Sequence, residues 1–301
     1  MKTYLSLVFL FFASLAFAEP LSEGSGDFAI PGGKGRSEKE IRLYYHVPQT
    51  WKQDSPVVIV VPGAGRNGWS YRDAWEAESE EKGIVVVSPH YSKEFYPRFW
   101  NYNMARMIGN VEINKEKTDF ESFSISKKPD EWIFSDFDRM FDIVKAKLGL
   151  ETEQYDIFGH SAGGQILHRF AIFNSSKKVN RIVSSNSGWY TVPSYDTEFP
   201  TGLVNAPISK GDLKQVFSKN LVVFLGELDD ENETRGHLVK NERMNKRGLH
   251  RLERCNYFYG TAREQARVQG YEFNWEKIVV PGVGHDYKKM SVAASKFLYA
   301  Q

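Results

Sequence analysis

Apolar residues gather along this chain in short unbroken runs, with stretches of helical spacing between them. Val57-Val58-Ile59-Val60-Val61, opened by Pro56, has no polar position, which is the pattern of a strand buried on both faces of a parallel sheet. Ile84-Val85-Val86-Val87-Ser88, Tyr155-Asp156-Ile157-Phe158, Arg181-Ile182-Val183, residues 221–225 (LVVFL) and Lys277-Ile278-Val279-Val280 predict further strands. Ile41-Arg42-Leu43-Tyr44-Tyr45-His46-Val47 alternates instead and stops at Pro48, as a half-exposed strand does. Helical spacing covers 72–82, closed by Gly83, and the set Phe137, Met140, Phe141, Val144, Leu148, closed by Gly149. Ser135 and Asp138 form a capping pattern ahead of that second helix. Further helices are expected at 165–171, over a polar and basic region at 231–269, and at about 288–299. Strands that alternate with helices, with apolar strand cores, predict an α/β fold with a mostly parallel, doubly wound sheet flanked by helices. Functional groups in such a sheet collect at the carboxyl ends of its strands.

Three stretches stand outside the pattern. Residues 19–38 are rich in Gly, Ser, Glu and Pro and read as a loose N-terminal segment. Residues 89–130 are crowded with aromatics, and residues 186–217 read as a loop-rich insert, so both are expected to lie over the site. The first eighteen residues carry Lys2, a short apolar stretch and Ala16-Phe17-Ala18, the marks of a secretory leader cleaved near Ala18. Residues 19–301 are then expected to form one domain, exported to the periplasm or outside the cell. No other apolar run is long enough to span a membrane, so the mature chain is expected to have no membrane span.

Composition narrows the classes of function. Lys and Arg number 39 against 38 Asp and Glu, and loss of Lys2 with the leader makes the balance even. Charge therefore gives no argument for a nucleic-acid partner or an anionic surface. The single cysteine, Cys255, allows no internal disulfide despite export, and reads as a partly buried structural thiol.

The chemistry begins at Gly159-His160-Ser161-Ala162-Gly163-Gly164, which joins a predicted strand to a predicted helix. A serine with glycines two before and two after it, at a strand-to-helix turn, has the form of a nucleophile elbow. A serine hydroxyl is a poor nucleophile near neutral pH. It needs a base to take its proton and an acid to orient the base. Of seven histidines, His285 stands in a Gly-rich loop after the last strand and just before the last helix. It is the favoured base over His90, which ends another strand. His160, inside the motif, is expected to point away from the serine's pocket. For the acid, Asp229 follows the turn glycine Gly226 and is favoured over its neighbours Asp230 and Glu227. The oxyanion formed on attack needs two backbone N–H groups aimed at one point. Ala162 is expected to give one, and Ala64 or Gly65 the other.

Four motifs now agree in kind and order: Pro62-Gly63-Ala64-Gly65, residues 159–164, Gly226-Glu227-Leu228-Asp229-Asp230 and Gly282-Val283-Gly284-His285-Asp286. With them the chain resembles the α/β-hydrolase superfamily over most of residues 41–299. Within it, the leader, the size and the opening up to Gly-Ile-Val-Val-Val-Ser-Pro-His-Tyr look most like the secreted polyhydroxybutyrate depolymerase and feruloyl esterase group. The resemblance implies Ser161, Asp229 and His285 as a catalytic triad and Ala64 and Ala162 as oxyanion donors. Pro62-Gly63 stands where that group often has His-Gly, which keeps Gly65 open beside Ala64. The implied reaction is hydrolysis of a small or polymeric carboxylic ester through an acyl-enzyme, without metal or organic cofactor. A peptidase or thioesterase of the same fold, and a non-catalytic binding protein built on it, are the alternatives. Trp100, Trp189 and Tyr190 are candidates for an acyl or aryl pocket, with packing beneath long loops as the competing role. Arg247, Arg251 and Arg254 are spaced as a solvated helix face, with an acidic substrate as the alternative.

Overall fold

A computed structural model describes residues 20–300. The predicted leader at 1–18 lies outside the described residues. In chain order the elements are β1 (Gly24–Ile30), β2 (Ile41–Val47), β3 (Val57–Val61), α1 (Gly68–Asp73), α2 (Glu76–Lys82), β4 (Val85–His90), β5 (Ile108–Ile113), β6 (Phe120–Ile125) and α3 (Phe134–Leu148). They continue with β7 (Tyr155–His160), α4 (Ala162–Phe173), β8 (Val179–Ser185), α5 (Leu213–Phe217), β9 (Leu221–Gly226), α6 (Glu242–Asn245), α7 (Arg251–Gln269), β10 (Glu276–Val280) and α8 (Tyr287–Leu298).

Eight strands form one sheet in the order β1-β2-β4-β3-β7-β8-β9-β10. From β4 to β10 every pair is parallel, while β1 and β2 join antiparallel at one edge. The fully apolar β3 lies inside the sheet, and its alternate residues serve two cores. Ile59 and Val61 face the layer of α3, α4 and α7, against Phe137, Phe170 and Phe258. Val58 and Val60 face the layer of α1 and α8, against Tyr71, Trp75 and Met290. A strand covered on both faces must be apolar at every position, so the unbroken β-branched run is a direct consequence of the two layers. Each such side chain, removed from water, contributes about 1.5–3 kcal/mol before entropy is counted.

Chain order sends the strand after β3 to one side of it, as β4, and places β7 on its other side. The carboxyl ends of β3 and β7 therefore flank a switch point, where an open α/β sheet leaves a crevice. Pro62-Gly63-Ala64-Gly65 leaves one of these ends and the Ser161 turn leaves the other.

Four expectations are corrected. The N-terminal segment is no loose tail, because Gly24–Ile30 pairs residue for residue with Ile41–Val47 as an edge strand. Its exposed positions are Ser25, Asp27 and Ala29, with Asp27 bonded to Arg42, so it shows no apolar run. The aromatic insert contains a hairpin of β5 and β6. The helix expected over 231–269 shrinks to α6 and α7, because 231–241 runs as a loop across the strand ends. Cys255 is fully buried rather than partly so, and burial pushes its thiol up to about 12.

Candidate active site

Ser161 stands between β7 and α4 with φ 56° and ψ −111°. For a residue with a Cβ this backbone costs about 1–3 kcal/mol and persists only where its surroundings hold it. Here the Ser161 N–H donates to the Ser185 carbonyl at 2.9 Å, and the Ser161 carbonyl accepts from the Gln165 N–H at 3.0 Å. Gly163 makes the close approach possible, since a Cβ there would lie 2.1 Å from the Val61 oxygen. The start of α4 is thereby pressed onto the end of β3.

That contact sets the start of α4 against the end of β3, from which the segments carrying the two expected oxyanion donors leave. Ala162 is the first residue of α4, where an N–H has no carbonyl one turn earlier in the helix. Across from it, residues 63–66 form a turn closed by the Arg66 N–H on the Gly63 oxygen at 2.9 Å. The closing bond leaves the N–H groups of Ala64 and Gly65 outside it, and both residues are exposed. A Cβ on Gly63 would lie 3.5 Å from the Ser161 Cβ, so this turn borders the serine directly.

His285 follows β10 in a loop anchored by Asp286, whose carboxylate caps α8 by accepting from the Lys288 and Lys289 N–H groups. The His285 Nδ1 lies 2.8 Å from Oδ2 of Asp229, which is fully buried. The same Oδ2 accepts from Nδ2 of Asn186 at 2.7 Å, and Oδ1 accepts from Nη1 of Arg251 at 3.0 Å. Burial alone would raise the Asp229 pKa. The hydrogen bond and charge of His285, the charge of Arg251 and the Asn186 amide outweigh it and hold the carboxyl below its usual range. Asp229 is thus an anion at neutral pH, and with Nδ1 donating to it the His285 Nε2 is left as an acceptor. Asp230 instead accepts from the Asn232 N–H at 2.9 Å. No hydrogen bond joins the Ser161 hydroxyl to His285 among the described residues. In free enzymes that contact is often long and tightens when substrate binds.

His160 is buried beside the site. Its ring packs on that of His285, with centroids 4.5 Å apart, and its Nδ1 lies 3.2 Å from the Tyr71 hydroxyl. Burial, reinforced by the charges of His285, Arg251 and Arg235, holds its pKa well below the usual 6.5. It is a neutral plate behind His285. His90 bonds the Arg66 carbonyl through Nδ1 at 2.6 Å and sits among Tyr44 and Trp69, bonded to neither Asp229 nor Asp230. A second Ser–His–carboxylate set occurs at Ser25, His46 and Glu80, with both contacts at 2.7 Å. There the serine lies within an extended edge strand, with no turn or helix start beside it, and the two partners satisfy a buried histidine.

Four residues at the site escaped the sequence reading. Asn186, at φ 49°, directly follows β8 and holds Asp229. Arg66 is buried and donates to the carbonyls of Tyr91, Tyr96 and Arg98, tying the oxyanion turn to the aromatic insert. Glu233 accepts the His285 backbone N–H at 2.5 Å. Arg251 bonds the acid itself. The spacing of Arg247, Arg251 and Arg254 was the available signal, but it pointed to solvent, whereas all three are buried. Positive φ at Asn186 is encouraged by its residue type, though nothing in the sequence ties it to Asp229.

The proposed pocket aromatics are largely committed to packing. The Trp189 ring carries the Arg169 guanidinium at 4.1 Å, and Tyr190 stacks on Phe258 at 4.5 Å. Trp100 is half-buried against Phe99. A cavity of about 480 Å³ is lined by charged residues including Asp119, Arg243 and Arg247, and by neither Ser161 nor His285. Among the described residues no helix is long and apolar enough to cross a membrane.

Several solved structures share this architecture. Poly(aspartic acid) hydrolase-1 from Sphingomonas sp. KT-1 is 31% identical, over 93% of this chain and 100% of its own, with a TM-score of 0.82. LpqC, a poly(3-hydroxybutyrate) depolymerase from Bordetella parapertussis, is 26% identical over 92% of this chain and 90% of its own, at a TM-score of 0.80. FphF, a fluorophosphonate-binding serine hydrolase from Staphylococcus aureus, shares the fold at 13% identity, with 91% and 97% of the two chains covered and a TM-score of 0.51. No family model and no curated protein matches the chain.

Proposed function

From its place in the α/β-hydrolase superfamily, to which this chain belongs, we propose that it is an exported serine hydrolase that cleaves carboxylic esters of a polymer or its fragments. The observation that carries the chemistry is the His285–Asp229 hydrogen bond behind a serine in elbow geometry. Ser161 Oγ attacks the ester carbonyl and His285 Nε2 takes its proton. Asp229 fixes the imidazole tautomer and stabilises the imidazolium that forms. The oxyanion is received by the N–H of Ala162 and that of Ala64, which directly follows the residue bordering Ser161. His285 then protonates the leaving alcohol, and water repeats the cycle on the acyl-enzyme.

The polymer class is supported by the names of the two relatives at 31% and 26% identity. The more similar of these two is a poly(aspartic acid) hydrolase, and this favours a second reading in which the scissile bond lies in an acidic polymer. Export rests on the leader-like first eighteen residues alone.

The test is labelling by a fluorophosphonate with peptide mapping, beside hydrolysis of chromogenic esters, poly(3-hydroxybutyrate) and poly(aspartic acid). Label is expected at Ser161, and Ser161→Ala should lose at least about a thousandfold in kcat. Wild-type turnover in that variant would sink the assignment. Release of fragments from poly(aspartic acid) alone would select the second reading.

A further inference from the structure

Arg251 opens α7 and is 3% exposed. Its guanidinium is divided between two parts of the site. Nη1 donates to Oδ1 of Asp229 at 3.0 Å, while Nη2 reaches the carbonyls of Arg235 and His237, both at 3.4 Å. Those carbonyls flank Gly236, which has φ +70°. A Cβ at Gly236 would lie 2.9 Å from Cδ2 and 3.0 Å from Nε2 of His285. Arg254 extends the grip, donating to Gly188 O at 2.8 Å and Val239 O at 2.9 Å. Residues 231–241 therefore form a strap against the reactive edge of His285, and one guanidinium holds both the strap and the acid.

Orientation of Asp229 does not by itself demand a buried arginine, because Asn186 and His285 already bond Oδ2. Nε of Arg251 is buried without a partner, so hydrogen bonding compensates its burial only in part. The charge must be offset chiefly at Asp229.

We propose that Arg251 is a positioning residue of the hydrolytic site, which locks Asp229 and the strap into one unit and by its charge extends activity to lower pH. The proposal rests on the reading of Ser161, His285 and Asp229 as the catalytic set. A fixed cation on the far side of the carboxylate disfavours the imidazolium, so its removal is expected to move the loss of activity in acid to higher pH. The other groups facing His285 are Glu233 with its partner Arg235, Asp286 on the same loop, and His160 on β7. Glu233 and Arg235 lie on the strap that Arg251 holds, so the lysine variant, which keeps the charge but not the span, separates movement of the strap from loss of the charge. Removal of one nearby unit charge, at an effective dielectric of about 20–40, shifts a titration by about one unit.

The test reads the second-order rate of inactivation by a fluorophosphonate between about pH 5 and pH 9, which requires no knowledge of the natural substrate. Arg251→Met should lower the plateau rate about tenfold or more and move the acid limb up by about one unit. Arg251→Lys keeps the charge, so its limb should stay within about 0.3 unit of wild type. Its plateau should still fall, because one ammonium cannot span both the acid and the strap carbonyls. An unmoved limb in Arg251→Met, or a limb that moves equally in both variants, overturns the proposal. If melting curves show that the Met variant does not fold, the Lys variant decides: a lowered plateau with an unmoved limb supports the clamp, and a wild-type plateau overturns it. Mapping of the label in the wild-type protein separates the two levels. Label absent from Ser161 sinks the catalytic reading and the proposal with it, whereas label on Ser161 with an unmoved limb in Arg251→Met sinks the clamp alone.

Discussion

Glu233 offers a prediction in which chemistry and stability can be read separately. Its Oε2 accepts the backbone N–H of His285 at 2.5 Å and pairs with Arg235, while Oε1 accepts from Nε of Arg235 at 2.9 Å. The Glu233 side chain is 6% exposed and that of Arg235 is 51% exposed. The hydrogen bond to Arg235 leads the effects that, against burial, lower its carboxyl to about 2. A hydrogen bond to a charged acceptor contributes about 1.5–3 kcal/mol, whereas a pair with a half-exposed arginine adds only a few tenths. Glu233→Ala should therefore cost about 2 kcal/mol, or about 3–4 °C in Tm for a chain of this size. Glu233→Gln keeps an oxygen for the His285 N–H and should cost about 1 kcal/mol. A carboxyl depressed in the folded state stabilises fully above its unfolded value of about 4.5 and loses that contribution as pH falls towards 2. The gap in Tm between wild type and Glu233→Gln should then be full at pH 7 and shrink as pH falls from about 5 to 3. In activity, release of the His285 backbone should lower kcat on a chromogenic ester about tenfold or more in the Ala variant, with KM little changed. An Ala variant with wild-type kcat, or a Tm gap that widens in acid, would refute the reasoning.

The remaining predictions concern the elbow and the acid. Gly163→Ala forces a Cβ to 2.1 Å from a backbone oxygen that no side-chain rotation can relieve. It should lose about 3 kcal/mol or more and most of its activity, and a wild-type melting curve would contradict the packing described. Asp229→Asn keeps the shape but offers the wrong hydrogen-bonding pattern to His285, so kcat should fall by about 10⁴ while the fold survives. Asp229→Ala should also melt earlier, by the equivalent of about 3–5 kcal/mol, because Arg251 is left buried without its counter-charge.

Legibility followed the kind of force involved. Strands β3, β4, β7 and β9 are covered on both faces, so burial itself wrote them as apolar runs. Position in the sheet then told the reader where Ser161, Asp229 and His285 would emerge, since each follows the end of a strand. β1 was lost because an edge strand has one wet face, and its alternation of Gly, Ser and Asp with Phe reads as loop. The arginines of α7 were misread for the opposite reason. Their spacing is that of a solvated helix face, and only the strand-end loops packed against that face convert it to a buried one. At His160 the sequence did not show the contact with His285, 125 positions later, whose ring covers it.

What remained hidden is therefore polar contact between distant segments, and burial explains why it exists at all. The sheet delivers Asp229 to a point with no solvent, where an isolated carboxylate would be protonated rather than charged. It stays an anion because donors arrive from three other segments: Asn186 from just after β8, Arg251 from α7 and His285 from the loop after β10. No one of those segments carries a pattern that announces the others, since hydrogen bonding has no sequence period as apolar packing does. Yet each donor bonded to Asp229 serves two ends at once. It offsets the desolvation of the acid, and it joins to the acid the part of the site from which it comes. A site assembled in this way can show its candidate residues in its sequence, one per strand end, while the groups bonded to them become visible only when the segments meet.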